Sequence, residues 1–174
     1  MRHKRSAYHL IAILFISVGI SPQLSPTAAA LENRVERDTD RDGKIDQVAY
    51  LTPRGDPIRI EIDSNADGLF DKIQHYKEGD LSRIESDRND DGNVDTRDLF
   101  MNGKRVRHER LNPEGGLQQI ILFDALERPL RMQRDTTGDG RFDTRHEFTE
   151  GRLDRSTRDT DADGRVNVWQ TFRN

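Results

Sequence analysis

Asp38-Thr-Asp-Arg-Asp-Gly-Lys-Ile-Asp46 is an acidic nonapeptide of pattern D-x-D-x-D-G-x-x-D. The pattern returns as Asp63-Ser-Asn-Ala-Asp-Gly-Leu-Phe-Asp71 and as Asp87-Arg-Asn-Asp-Asp-Gly-Asn-Val-Asp95. Two later copies are Asp135-Thr-Thr-Gly-Asp-Gly-Arg-Phe-Asp143 and Asp159-Thr-Asp-Ala-Asp-Gly-Arg-Val-Asn167. Oxygen-bearing side chains at alternate positions, followed by a glycine, suit a hard divalent cation wrapped by one short turn. Calcium takes roughly six to eight oxygens at about 2.3–2.6 Å, and the glycine permits the bend after the third ligand. The candidate ligands are Asp38, Asp40, Asp42 and Asp46 in the first loop, and Asp63, Asn65, Asp67 and Asp71 in the second. The third offers Asp87, Asn89, Asp91 and Asp95, and the fourth Asp135, Thr137, Asp139 and Asp143. The fifth offers Asp159, Asp161, Asp163 and Asn167. A backbone carbonyl is expected from the seventh position. Up to five calcium ions are anticipated, since magnesium demands a rigid octahedron. With four carboxylates the first loop is expected to bind most tightly; the fourth, with Thr137, and the fifth, with Asn167, are expected to be weaker.

The loop glycines stand at 43, 68, 92, 140 and 164, with spacings of 25, 24, 48 and 24. The long gap is two periods, and Leu111-Asn-Pro-Glu-Gly-Gly-Leu-Gln-Gln119 occupies the missing register with its acidic positions lost. The array therefore has six units, five intact and one degenerate. That degenerate unit is also the most apolar, with Leu117 and then Ile120, Ile121, Leu122 and Phe123, which reads as packing in place of an ion or as a keystone or docking patch within the array. A second column confirms the register. Arg34, Arg59, Arg83, Arg107, Arg131 and Arg155 each lie four residues before a loop, followed two residues on by Glu36, Glu61, Glu85, Glu109, Gln133 and Thr157. Residues two apart on a strand share a face, so these columns predict an Arg–Glu ladder, each exposed pair worth less than about 1 kcal/mol.

Between loops the pattern is strand, glycine turn, strand. The turns are Arg54-Gly55-Asp56, Glu78-Gly79-Asp80, Asn102-Gly103-Lys104 and Glu150-Gly151-Arg152. Flanking aromatic and β-branched residues make these hairpin signals. Two apolar columns, Ile45/Phe70/Val94/Phe142/Val166 and Leu51/Tyr76/Phe100/Phe148/Phe172, are six residues apart. An even step predicts that both lie on one strand face. The predicted fold is mainly β: an elongated or curled antiparallel sheet of ~24-residue hairpin repeats, with loops along one edge. Neighbouring loops would stand roughly 10 Å apart, close enough for their charges to interact.

Residues 1–30 read as a secretory signal-peptide helix, with Arg2, Lys4 and Arg5 before an apolar run from Leu10 to Ile20 and Ala28-Ala29-Ala30 at the cleavage site. The apolar run is short for a bilayer span, which needs ~20 residues, so no membrane span is expected in the mature chain, residues 31–174. The expected location is secreted or periplasmic. There is no cysteine, hence no disulfide framework. The leader holds three of the 28 basic residues and none of the 32 acidic ones, leaving a mature net charge of −7. Five divalent cations would turn this to about +3. Leu, Ile, Val and Phe supply 31 of the 144 mature residues, close to the level below which chains stay disordered. Ion binding is the obvious additional source of folding free energy.

The loops resemble the EF-hand calcium loop over their first six positions, and thrombospondin type 3 and integrin-type sites over all nine. The bidentate acid that the EF-hand places at position twelve falls here on Ala49, Gln74, Asp98, His146 and Gln170, so only Asp98 matches. The segments between loops resemble bacterial YD (Rhs-type) repeats, through Phe123-Asp-Ala-Leu-Glu-Arg-Pro-Leu130, Glu150-Gly-Arg-Leu153 and Gly79-Asp-Leu81. That resemblance implies long sheets of antiparallel hairpins.

No enzyme is expected. The mature chain has three histidines, His75, His108 and His146, at different points of the repeat, and no Gly-x-Ser-x-Gly. Acidic net charge beside the arginines argues against nucleic acid. The expected function is a calcium-binding repeat protein in which the ion acts structurally in an interaction module. A calcium buffer or sensor, or a hydrolase or inhibitor, is the alternative. The expected partner beyond calcium is an unidentified protein or a surface glycan.

Overall fold

The computed structural model describes residues 33–172, all β and turn; the expected leader lies outside them. Strands β1 (Asn33–Arg37) and β2 (Gln47–Leu51) flank the first loop, and β3 (Pro57–Ile62) and β4 (Lys72–Lys77) the second. Strands β5 (Asp80–Ser86) and β6 (Thr96–Met101) flank the third, while β7 (Lys104–Leu111) and β8 (Leu117–Phe123) flank the degenerate connection. Strands β9 (Pro129–Arg134) and β10 (Thr144–Thr149) flank the fourth loop, and β11 (Arg152–Arg158) and β12 (Val168–Thr171) the fifth. Each strand pairs antiparallel with its sequence neighbours, giving one open sheet ordered β1 to β12. Alternate connections therefore fall at opposite strand ends. Every acidic loop lies on one rim, as the repeat predicts, together with the short β7–β8 connection, and the other short turns lie on the opposite rim.

The turn rim follows from local backbone chemistry. Glu78-Gly79, Asn102-Gly103 and Glu150-Gly151 place both central residues at positive φ, between 51° and 88°. Two left-handed residues in a row make a type I′ turn, whose twist matches that of the flanking strands. The other two turns are five residues long. Thr52 N–H bonds to the Asp56 carbonyl at 2.8 Å, and Gly55 N–H to that of Thr52 at 2.9 Å. Residues 124–128 repeat this arrangement, with both bonds at 2.9 Å.

The degenerate connection on the loop rim has the same construction. Asn112 N–H reaches the Gly116 carbonyl and Gly115 N–H the Asn112 carbonyl, both at 2.9 Å. It is thus a turn-rim device transplanted to the loop rim, and Leu51-Thr-Pro-Arg-Gly-Asp56 is its sequence counterpart. Leu111 takes the place of a loop's first aspartate and is 5% exposed. With Val48 and Ile120 it completes the buried apolar set, two of whose three members sit in this unit. Packing has replaced the acidic loop here.

Buried polar residues outnumber buried apolar ones: Asp46, Asp63, Asp71, Thr96, Glu109, Asp135, Thr144 and Ser156 are all inside. One layer of sheet cannot enclose a large core, so cohesion comes from the backbone ladder and from side chains lying flat along each face. Tracing the pairings across the sheet places the arginine column in one row, from Arg34 through Tyr50, Arg59, His75, Arg83, Leu99 and Arg107 to Leu122, Arg131, Glu147 and Arg155. The adjoining row on that face carries Glu36, Val48, Glu61, Ile73, Glu85, Arg97, Glu109, Ile120, Gln133, Arg145, Thr157 and Trp169. The predicted ladder is present within strands: Arg34 pairs with Glu36, Arg59 with Glu61 at 2.9 Å, Arg83 with Glu85 at 3.5 Å and Arg107 with Glu109 at 2.6 Å. Glu85 also takes His75 at 2.8 Å and Arg97 at 3.0 Å. Burial pushes its carboxyl up, but the His75 hydrogen bond and the guanidinium charges bring it below the usual range.

The expectation of two apolar columns on one strand face is corrected. Bulges opposite Tyr50/Leu51, His75/Tyr76, Leu99/Phe100 and Glu147/Phe148 put the extra residue on the partner strand, at Ile58, Ser82, Val106 and Asp154, so the outer column pairs across a shifted register. The inner column also precedes the strands, because each begins two residues after it, and Ile45, Phe70, Phe142 and Val166 remain at least 36% exposed. Alternation holds only over an unbroken ladder.

The type I′ turns give a direct test. Gly79→Val forces a β-branched residue into left-handed backbone, costing about 1–2 kcal/mol and lowering Tm by roughly 2–8 °C. Glu78→Asn, at the other left-handed position, leaves Tm unchanged or raises it in the same thermal melts.

Candidate metal centres on the loop rim

The five acidic loops share one backbone. Position six is glycine at φ 83–94° in every copy. A Cβ there would meet nothing within 4 Å, so the requirement is conformational. Position four is also left-handed: Arg41, Ala66, Asp90, Gly138 and Ala162 have φ between 57° and 79°. Four of those residues are not glycine, so the loop holds them there against their preference.

The first aspartate of each loop accepts a hydrogen bond from the position-six amide. Gly43, Gly68, Gly92, Gly140 and Gly164 donate to Oδ2 of Asp38, Asp63, Asp87, Asp135 and Asp159 at 2.7–2.9 Å. Its other oxygen differs between loops. Oδ1 of Asp63 and Oδ1 of Asp159 are buried with no hydrogen-bond partner, and Asp63 as a residue is only 8% exposed. A buried carboxylate oxygen without a donor is costly unless a cation satisfies it. Position five is oriented by the position-seven amide: Lys44, Leu69, Asn93, Arg141 and Arg165 donate to Asp42, Asp67, Asp91, Asp139 and Asp163 at 2.7–2.9 Å.

Position three separates the loops. Asp38, Asp40 and Asp42 place one oxygen each within 4.8 Å of the other two, as do Asp159, Asp161 and Asp163. Both triplets are able to hold a metal ion. In the second and third loops, Asn65 and Asn89 donate to Asp67 and Asp91 at 3.1 Å. In the fourth, the Thr137 hydroxyl donates to Asp135 at 3.2 Å. The first and fifth loops therefore share a converged carboxylate triplet, although Asn167 suggested a weaker fifth site.

Position nine is a brace. Thr39 amide and hydroxyl both donate to Asp46, and Ser64 does the same to Asp71. Arg88 amide donates to Asp95 at 2.7 Å, and Thr136 amide and hydroxyl donate to the two oxygens of Asp143. Asn167 serves equally well, because its amide oxygen accepts from Thr160 amide and hydroxyl at 3.0 and 2.9 Å. Four hydroxyls at position two are thus part of the loop, a recurrence visible in the sequence that ligand-spacing logic passes over. The Thr39 hydroxyl and amide hold the Asp46 carboxyl below the usual range.

The loops are joined in series through the backbone. A position-nine carbonyl accepts the position-one amide of the next loop: Asp63 N–H donates to Asp46, Asp87 N–H to Asp71 and Asp159 N–H to Asp143, all at 2.8 Å. Leu111 N–H bonds to the Asp95 carbonyl in the same way, while Asp135 N–H reaches Gln118 across the five-residue turn. The second and third loops also touch through Asn65, which donates to Asp90 at 3.1 Å. Burial and the charges of Asp67, Asp87 and Asp71 push the Asp90 carboxyl up.

Asp98, the residue that matches the EF-hand's twelfth position, lies on β6 and accepts from His108 Nδ1 at 2.9 Å across the sheet. It is a sheet residue. His75 is paired with Glu85, and burial followed by the Arg158 charge lowers the affinity of His146 for its proton.

No family model and no curated protein sequence matches this chain. Among solved structures, that of accessory secretory protein 1, 2 and 3 in Streptococcus pneumoniae matches at 15% identity and TM-score 0.46, over 60% of this chain and 19% of that one. A mutant of S. aureus TarM in complex with Fondaparinux, alpha-GlcNAc-glycerol and UDP matches at 13% identity and TM-score 0.37, over 72% and 22%. The chain spans about a fifth of the length of these structures. Likenesses this partial carry no argument about its activity.

The brace predicts a pH effect. Asp46 has a folded pKa below its unfolded value, so its stabilisation is present above the unfolded pKa and lost as pH falls through the folded one. In a carbon-detected NMR titration of metal-free protein, Asp46 titrates below the ordinary aspartate range of about 3.9. Thr39→Val brings that titration back up.

Proposed function

We propose that the chain is a secreted calcium-binding repeat protein, in which the ions act structurally within a surface or periplasmic interaction module. The carrying observation is the split role of the first loop aspartate: Oδ2 holds the glycine amide, while buried Oδ1 of Asp63 and Asp159 finds no donor. A cation bound there would take the remaining oxygen, with positions three and five beside it. Oxygen-only ligands favour a hard ion, and an irregular mixed set of carboxylate, amide and hydroxyl favours calcium over magnesium. The basic-then-apolar leader at 1–30 supports export. Among the described residues, no helix is long and apolar enough to cross a membrane.

A structural role is favoured over a sensor by the bracing. Each loop is tied by its own amides and then to the next through the sheet ladder, which leaves little travel for a conformational readout. The same bracing favours a non-catalytic module, because the rim's oxygens divide between holding the loops and facing a cation. At free calcium tenfold above Kd, each site adds about 1.4 kcal/mol to stability, a large fraction of what a domain with three buried apolar side chains can supply.

Calorimetric titration of metal-free protein with calcium is expected to show at most five ions, with Tm rising and a chelator reversing the gain. Absence of both binding heat and a chelator-dependent Tm shift would sink the calcium reading. Asp63→Ala removes one ion. Through the Asp46 and Asp71 carbonyl links it weakens the first and third loops more than the fourth and fifth, as followed by NMR of Gly43, Gly92, Gly140 and Gly164 amides. Equal weakening of all loops would exclude series coupling.

A further inference from the structure

In the first four units each arginine of the Arg–Glu face is covered by the glutamate two residues on. In the last two that glutamate is Gln133 or Thr157. The substitution changes both charge and space. Arg131 has no salt bridge among the described residues, and Arg155 reaches only Glu147, at 3.7 Å. Nε is buried without a partner at Arg83 and Arg107 as well as at Arg131 and Arg145, so the difference between the units lies in the terminal nitrogens. Arg145 spends one terminal nitrogen on Glu147 at 2.5 Å while its side chain stays 43% exposed. Strands β9 to β11 thus carry three arginines against one glutamate on these two rows.

This bare stretch opens into a cleft of about 470 Å³ between the fourth and fifth acidic loops. Its walls include Gln133, Phe142, Arg145, Arg155 and Thr157, with Glu147 between the two arginines. Arg141 and three loop acids, Asp139, Asp143 and Asp159, also border it. The volume falls within the roughly 300–1,000 Å³ of small-molecule sites. An amide and hydroxyls for hydrogen bonding, one aromatic face and convergent guanidiniums match a particular chemistry: a sugar ring that bears a carboxylate. Arginine binds a carboxylate through parallel N–H donors, and Phe142, 36% exposed, supplies an apolar face for ring C–H groups.

We propose that the cleft between the fourth and fifth loops binds a hexuronate unit of an acidic glycan, with its carboxylate on Arg145 and Arg155. The assignment rests on the calcium reading in one respect. Without cations, Asp139, Asp143 and Asp159 add to Glu147 in opposing an incoming anion; with two ions bound only Glu147 is left, itself shared between Arg145 and Arg155, so binding is calcium-dependent. The first three loops have no such site, because Glu61, Glu85 and Glu109 occupy the equivalent ground.

The test uses the full mature chain and methyl glucuronide and methyl galacturonide as probes, with methyl glucoside and acetate as comparators, by calorimetry in calcium and in chelator. At least one uronide is expected to bind tenfold or more tightly than either comparator. Thr157→Glu, which restores the glutamate of the earlier units, abolishes binding without changing the calcium stoichiometry, and Arg145→Gln weakens it at least tenfold. Equal affinity for glucoside, or for acetate, overturns the acidic-sugar assignment. Uronide binding that survives Thr157→Glu overturns the location. If calcium binds and neither uronide does, this inference fails and the calcium reading stands. If uronide binds equally in chelator, the site stands and its calcium dependence falls.

Discussion

The aspartate that opens each loop has two oxygens and two duties. One oxygen fixes the left-handed glycine by accepting its amide; the other accepts further loop amides in the first, third and fourth loops and is without a donor in the second and fifth. Around that residue the remaining loop chemistry is ordered. Position five takes the position-seven amide, position nine takes the position-two amide, and the position-one amide itself is handed to the preceding loop. A sheet with so few buried apolar side chains depends on such polar economy, because unsatisfied carboxylates beside one another would drive the rim apart.

The architecture is quasi-one-dimensional. Each strand packs substantially only against its sequence neighbours, so stability is a sum of hairpin terms and interfaces between hairpins. The Arg–Glu face illustrates how one such interface is made. Arginine stems lie over glutamates that are only 10–17% exposed at Glu61, Glu85 and Glu109, and these pairs substitute for the second layer that most domains use. Where the glutamates are absent, in the last two units, Arg155 and its neighbour Arg145 face a cleft.

Much of this was legible in the chain. Glycines at fixed spacing gave the hairpin period, and the arginine column gave the register because i and i+2 share a face. Other features were written in less obvious signals. Ser or Thr at position two of four loops marks the brace, but ligand spacing alone ignores residues between ligands. The match between Leu51-Thr-Pro-Arg-Gly-Asp56 and Leu111-Asn-Pro-Glu-Gly-Gly116 identifies the transplanted turn, yet alignment by loop glycine reads the second stretch as a decayed acidic loop. The bulges could not be read. They accompany every short turn, type I′ or five-residue, placing one extra residue on the strand that follows it, while the pairs joined by acidic loops run without a shift. Spacing along one strand does not show where its partner carries an extra residue.

The carbonyl-to-amide link between successive loops has a direction. In the first, second and fourth loops the last residue's carbonyl is filled by the first amide of the loop that follows, and in the third by Leu111. The five-residue turn at 112–116 interrupts the acidic series while the links continue, through Leu111 on one side and Gln118 on the other. The rim therefore has a polarity along its length, with amide donors turned toward the earlier loop and carbonyl acceptors toward the later one.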